Sequence, residues 1–168
     1  MFMSPRTHAL IDSPVGPLTL VATGGVLSGL YMTAQRHRPP EESFGARRAP
    51  DESPFAPAAE QLGAYFEGGL TAFDLPLDLR GTPFQQRVWA GLRAIPYGTV
   101  MTYGQLADKL GSPGASRAVG LANGRNPVGI IVPCHRVVGA SGGLTGYGGG
   151  LERKRFLLDL ELGLTSHM

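Results

Sequence analysis

The chain has 168 residues, 42% of them hydrophobic and 17% charged, with a formal charge of +2. That balance fits one domain, or two small ones, with a buried core, and the 25 glycines and 14 prolines follow no collagen-like period, so fibrous and fully disordered classes are excluded. No apolar run reaches the roughly 18–20 residues of a membrane span, residues 1–6 carry no secretory-signal pattern, and the single cysteine, Cys134, precludes an internal disulfide or a thiolate zinc cluster; a cytoplasmic location is the expectation.

The first third reads as strands. His8 to Ile11, Leu18 to Ala22 and Val26 to Met32 are short β-prone runs separated by Ser13-Pro14-Val15-Gly16-Pro17 and Thr23-Gly24-Gly25, which predicts an antiparallel meander. Residues 36–54 are proline-rich and charged without an apolar period, and read as a mobile surface loop or linker. Pro57 to Gly68 spaces Ala58, Leu62, Tyr65 and Phe66 at helical intervals, and another strand is expected around Phe73 to Leu79.

The second half begins at Gly81. Thr82-Pro83-Phe84-Gln85 predicts a capping box with proline at the first helical position, followed by Phe84, Val88, Leu92 and Ile95 on one face; Thr102 and Gln105 repeat the pattern. Two short helices are expected there, about Tyr103 to Leu110 and about Pro113 to Ala122, the second capped by Ser112. Their spacing predicts a helix-turn-helix. A last helix runs from about Leu151 to Leu162.

Charge is uneven along the chain: residues 1–78 hold five arginines against nine acids, whereas 79–168 hold ten lysines and arginines against four acids. A polyanionic partner for the second half is one reading and a scattered, solvated surface is the other. On the second helix of the pair, Arg117 stands among small residues, with Gly120, Leu121 and Gly124 on its side. That shape suits a narrow groove or a base stack, and equally a tightly packed helix with Arg117 merely solvated.

Ile130-Ile131-Val132-Pro133-Cys134-His135-Arg136 reads as an apolar strand stopped by proline, then a cysteine, a histidine and an arginine. Cys134 is either a small buried hydrophobe or a nucleophile whose pKa is lowered by His135 and nearby basic residues. The glycine-rich run from Gly142 to Gly150 lacks the nucleotide-phosphate fingerprints; it reads as a ligand-pocket wall with Tyr147 available for stacking, or as a mobile loop. Glu161, near the end of the last helix, opposes the helix dipole and so either has a partner or is solvated.

Pro133-Cys134-His135-Arg136 resembles the active site of the O6-alkylguanine-DNA alkyltransferase (methylated-DNA-protein-cysteine methyltransferase) family. The resemblance extends through Gly81 to Trp89, Ile95-Pro96-Tyr97-Gly98, Thr102-Tyr103, Ser116 to Gly120, Asn126-Pro127 and Gly146-Tyr147, and more loosely through Ile11 to Leu18. It implies an α/β (α+β) fold: residues 1–80 as an N-terminal antiparallel sheet with a helix, ribonuclease H-like, and residues 81–168 as a mainly helical DNA-binding and alkyl-acceptor domain with a winged helix-turn-helix.

The resemblance further implies roles. Cys134 is the alkyl acceptor, His135 the base acting through a water, Glu161 the group that orients the histidine, and Asn126 the brace of the turn around the cysteine. Tyr103 helps rotate the nucleotide and protonates the purine, Arg117 takes the extruded base's place, Tyr147 and Gly148 line the pocket, and Ala118, Gly120 and Arg136 join the DNA contacts. Partners are double-stranded DNA, entered from the minor groove, and the O6-alkylguanine base as alkyl donor; a monomer is expected, with cooperativity on DNA left open. No cofactor is needed, and no zinc is expected because residues 1–133 contain no cysteine. The length leaves no room for an added methylphosphotriester domain. A DNA-binding lesion recogniser without transfer and a cysteine hydrolase are the alternatives; Cys134 beside His135 argues against the first, and the second needs an oxyanion site.

Overall fold

The computed structural model describes residues 5–144 and 146–164. Three strands, β1 (Arg6–Ile11), β2 (Leu18–Thr23) and β3 (Val26–Met32), form the expected antiparallel meander, with Ile11 opposite Leu18 and Leu18 opposite Met32. Ser13 turns the first connection: its Oγ accepts from Val15 N–H at 3.1 Å and donates to Gly16 O at 2.6 Å. Gly24 and Gly25, both at positive φ, make the two-residue turn of the second. Every residue of β2 is buried, because it is covered on both edges and carries the packed face.

The segment 36–54 differs from the expected mobile loop. A turn of 3-10 helix at Glu41–Phe44 buries Phe44, which stacks on Tyr31 with ring centroids 5.6 Å apart, and β4 (Ala46–Arg47) then pairs parallel to β1. Gly45 sits between them at φ 77°, where a Cβ would collide with the Arg6 carbonyl. Phe44, the β4 pairing and the Arg48 N–H bond to His8 O fix the segment together, and a single aromatic leaves no periodic signal.

Helix α1 (Ala56–Phe66) buries Ala58, Leu62, Tyr65 and Phe66 as their spacing predicts. The strand expected at 73–79 is not formed. Leu77 makes one isolated bridge to Leu27, and Phe73, Leu75, Leu77 and Leu79 pack half-buried on the core without a ladder. Pro76 removes a donor that a ladder would need.

In the second half, α2 (Pro83–Arg93) and α3 (Tyr103–Lys109) both begin with the complete capping boxes expected at Thr82/Gln85 and Thr102/Gln105. The partner of α3 is α4 (Ser116–Gly124), three residues shorter at its start than expected. Gly114 at φ 83° cannot sit in a right-handed helix, so residues 112–115 form a turn closed by Ala115 N–H to Ser112 O, and Ser112 caps nothing. Trp89, buried on α2, donates Nε1–H to Ala122 O at 2.9 Å and ties the helices together. Short strands β5 (Met101–Thr102) and β6 (Val137–Val138) pair in parallel, and α5 (Leu151–Glu161) ends the described chain's last element.

One core runs through both halves: Leu30 N–H donates to Pro127 O at 2.9 Å, joining the meander to the segment that carries the cysteine. Among the described residues no helix is long and apolar enough to cross a membrane.

Candidate active site

The segment Asn126 to Arg136 holds no strand. Ile130 adopts φ 70°, Ile131 N–H bonds to Gly129 O, Cys134 N–H bonds to Val132 O, and Cys134–Arg136 form one turn of 3-10 helix. The β-branched run that reads as a ladder is folded by a side chain: buried Asn126 donates Nδ2–H to Val132 O at 2.8 Å and accepts Val128 N–H at 3.0 Å. Both ends of the amide are used, so the turn has one shape. Asn123, on the inner face of α4, adds Nδ2–H to Cys134 O at 3.4 Å. Sequence reading passed over it; a polar residue on the same helix face as Val119 and Ala122 was the available signal.

Cys134 is thereby held in a small cavity of about 20 Å³, with Asn123, Asn126, Tyr147, the Gly146–Gly149 loop and Gln35 around it. Burial pushes its thiol pKa up, against the opposing pull of an Asn126 hydrogen bond and the Lys154 charge. This corrects the expected lowering, which counted basic neighbours and not desolvation. The resting cysteine is a thiol.

His135 points the other way, into the core, with Nε2 2.7 Å from Glu161 Oε2. Glu161 lies at the end of α5, and its carboxylate also accepts from Tyr65 Oη at 2.6 Å, from Arg136 Nε at 2.8 Å and Nη2 at 3.0 Å, and from Gly98 N–H at 3.3 Å. Burial alone would raise its pKa; the hydrogen bonds from His135 and Arg136 overcome that and hold it at about 2. With an ionised acceptor at Oε2, Nε2 must carry the hydrogen. Burial lowers the His135 pKa despite Glu161, so the ring is neutral and Nδ1 is a bare acceptor, buried and without a hydrogen-bond partner among the described residues. The carboxylate that the helix dipole disfavours is compensated four times over.

Arg136, expected among DNA contacts, is buried instead: besides gripping Glu161 with two nitrogens it donates Nη1–H to Ile95 O at 2.7 Å. Lys154, which sequence reading did not single out, is fully buried, donating Nζ–H to Val137 O at 2.6 Å. Its signal was position, since it falls on the stripe of Leu157, Leu160 and Glu161. Burial pushes it down to about 8, opposed by the charge that Cys134 can carry.

Tyr103, at the start of α3, lays its ring against Gly120 and directs its hydroxyl to Gly146 O at 3.4 Å, at the rim of the cysteine cavity. Tyr147 is half-buried on the opposite rim, and burial together with a nearby Cys134 charge raises its pKa well above the ordinary phenol. Gly148 lines the same cavity. On the outer face of α4, Arg117, Ala118 and Leu121 are exposed and Gly120 is half-buried. The structure therefore brings together Cys134, Asn126, Tyr147 and Gly148 directly, His135 and Glu161 behind them, and Tyr103 at the edge.

A helix-turn-helix with an arginine on its open face, backed by a lone cysteine and a His–Glu pair, sets a buried thiol beside a unit of the kind that binds nucleic acid. Known proteins agree with it. Residues 7–79 match the ribonuclease-like domain, and residues 83–163 the DNA binding domain, of 6-O-methylguanine DNA methyltransferase. The methylated-DNA–protein-cysteine methyltransferase of Mycobacterium tuberculosis is 60% identical over 154 residues, 92% of this chain and 91% of the relative; that of Methanosarcina acetivorans is 48% identical over 155 residues, 92% and 97% of the two chains. The crystal structure of Mycobacterium tuberculosis OGT in complex with DNA superposes with a TM-score of 0.85 at 56% identity, covering 94% of each chain. This chain belongs to the 6-O-methylguanine DNA methyltransferase family.

Proposed function

We propose that the protein repairs DNA by taking the alkyl group of O6-alkylguanine onto Cys134, once per chain. One observation carries the reading: a neutral His135 whose Nε2–H is committed to Glu161 and whose bare Nδ1 is the base nearest in sequence to a buried, protonated Cys134. Through a water, Nδ1 takes the thiol proton as sulfur attacks the alkyl carbon. The carbon–sulfur bond forms, the carbon–oxygen bond breaks, and its electron pair stays on the purine, which gains a proton and leaves as guanine. Lys154 and Asn126 stabilise the thiolate as it appears.

No second thiol exists to remove the alkyl group, so the reaction is stoichiometric and needs no cofactor. The exposed face of α4 enters the minor groove; Arg117 occupies the space of the extruded base and Tyr103, at the cavity rim, assists rotation and supplies the purine's proton. In this reading residues 1–80 and 81–168 are the two domains, and the protein works as a monomer in the cytoplasm.

Mixing the chain with an equimolar duplex containing one O6-methylguanine, followed by intact mass and peptide mapping, tests the proposal. The expected result is one methyl on the Cys134 peptide for each lesion lost. Lesion loss with an unmodified chain, or catalytic turnover of the duplex, overturns it.

A further inference from the structure

The cavity at Cys134, about 20 Å³, holds about one water. A purine does not fit, so part of its wall moves when a base enters. Asn123, Asn126 and Cys134 are tied into buried hydrogen bonds and make a fixed floor. The Gly146–Gly149 rim is the part that can give, and it is clasped from outside by the turn after β3. Arg36 N–H donates to Gly148 O at 2.8 Å, Arg153 Nη1 donates to Thr33 O at 2.8 Å and to Gly149 O at 3.4 Å, and a Cβ on Gly149 would lie 2.5 Å from Met32 Sδ.

Gln35 is the one described lining residue contributed by the first half of the chain. Its Cγ lies 3.6 Å from where a Cβ of Gly148 would be, and its Oε1 accepts Met32 N–H at 2.9 Å, so the side chain is pinned across the turn and not free to swing away. The turn itself is held in an unusual backbone: Ala34 and His37 both adopt left-handed φ, at 58° and 60°. Such conformations persist where the surroundings over-determine them and gather at ligand clamps.

Resting on the alkyl-transfer reading, we propose that Gln35 is a specificity-determining residue: its bulk, held against the glycine rim, limits the size of the alkyl group that reaches Cys134. Apart from Tyr147 the rim is made of glycines, so the volume at position 35 decides how far the glycine side of the pocket opens.

Single-turnover transfer from two duplexes, one with O6-methylguanine and one with O6-benzylguanine, reads this as the ratio of benzyl to methyl rates. Gln35→Ala raises the ratio roughly tenfold, Gln35→Met, which loses the bond to Met32 and keeps the bulk, leaves it within about twofold, and Gln35→Trp lowers it. An unchanged ratio in Gln35→Ala, or an equal rise in Gln35→Met, overturns the role of volume. A parent chain that transfers neither group fails at the earlier step, and the alkyl-transfer reading falls with it.

Discussion

His135 Nε2 lies 2.7 Å from Glu161 Oε2 in the protein interior, and the same oxygen accepts hydrogen bonds from Tyr65 and Arg136. The carboxylate thus fixes which histidine nitrogen is bare, and it is the site where the positive charge of a protonated His135 would be met. Tyr65, Gly98, His135 and Arg136 all present donors to this carboxylate.

Glu161→Gln keeps the shape and removes the charge. The amide's own donor must then face His135 or Arg136, and the Arg136 guanidinium is left buried without its counter-charge, a defect costing about 3–5 kcal/mol. Stopped-flow transfer from an O6-methylguanine duplex should slow by about a hundredfold or more, and denaturant unfolding should shift to lower midpoints. A variant that reacts at the parent rate removes the Glu161 charge from the support of His135.

Acid should act through the same pair. Glu161 ionises at about 2 in the folded chain against an ordinary 4.5, so the unfolded chain takes up the proton first as pH falls. Its stabilisation is complete above about 4.5 and is lost between 4.5 and 2, an amount of about 3 kcal/mol at about 1.4 kcal/mol per unit. His135 has the same sign: its folded pKa is below 6.5, so stability also declines once pH drops beneath 6.5. Urea midpoints measured from pH 7 to pH 3 should fall throughout. With His135 as the proposed base, the acid limb of the transfer rate should lie below pH 6.5; a limb at higher pH contradicts the neutral ring.

Lys154→Met separates two effects of one buried ammonium. Folded Lys154 titrates at about 8 against an ordinary 10.5, so between these values the unfolded chain binds more protons and stability rises with pH. The substitution should abolish that alkaline rise. It also removes a positive charge that favours the Cys134 thiolate, and transfer at pH 7 should slow by roughly tenfold. A faster variant would mean that Lys154 hinders the cysteine.

These features were legible to different degrees, for physical reasons. The capping boxes at Thr82/Gln85 and Thr102/Gln105 are local, so sequence suffices for them. The meander is local too, its turns written in Gly16, Gly24 and Gly25. The segment around Cys134 is not: Ile130-Ile131-Val132 has strand propensity, and what overrides it is the Asn126 amide together with a left-handed Ile130. The direction of the Cys134 shift depends on desolvation, which is set by residues as distant as Gln35. Arg136 and Lys154 look like surface charge in the sequence, because their partners, Glu161, Ile95 and Val137, meet them only in the fold.

Arg117 tests the nucleic-acid half of the reading. It stands exposed on α4, on a face otherwise made of Ala118, Gly120 and Leu121, with Leu121 70% exposed. A backbone this bare can approach a duplex closely, and the guanidinium is then the group long enough to enter the stack. Unstacking a nucleotide costs a few kcal/mol, and a side chain that fills the space offsets part of it, so Arg117→Ala should slow transfer from duplex by roughly tenfold or more. Free O6-benzylguanine needs no extrusion and should react at close to the parent rate, because Arg117 lies outside the cavity that holds Cys134. Rates on both substrates, measured on one preparation, decide the matter: equal losses would place Arg117 in the structure of the pocket, and loss on duplex alone would place it in the stack.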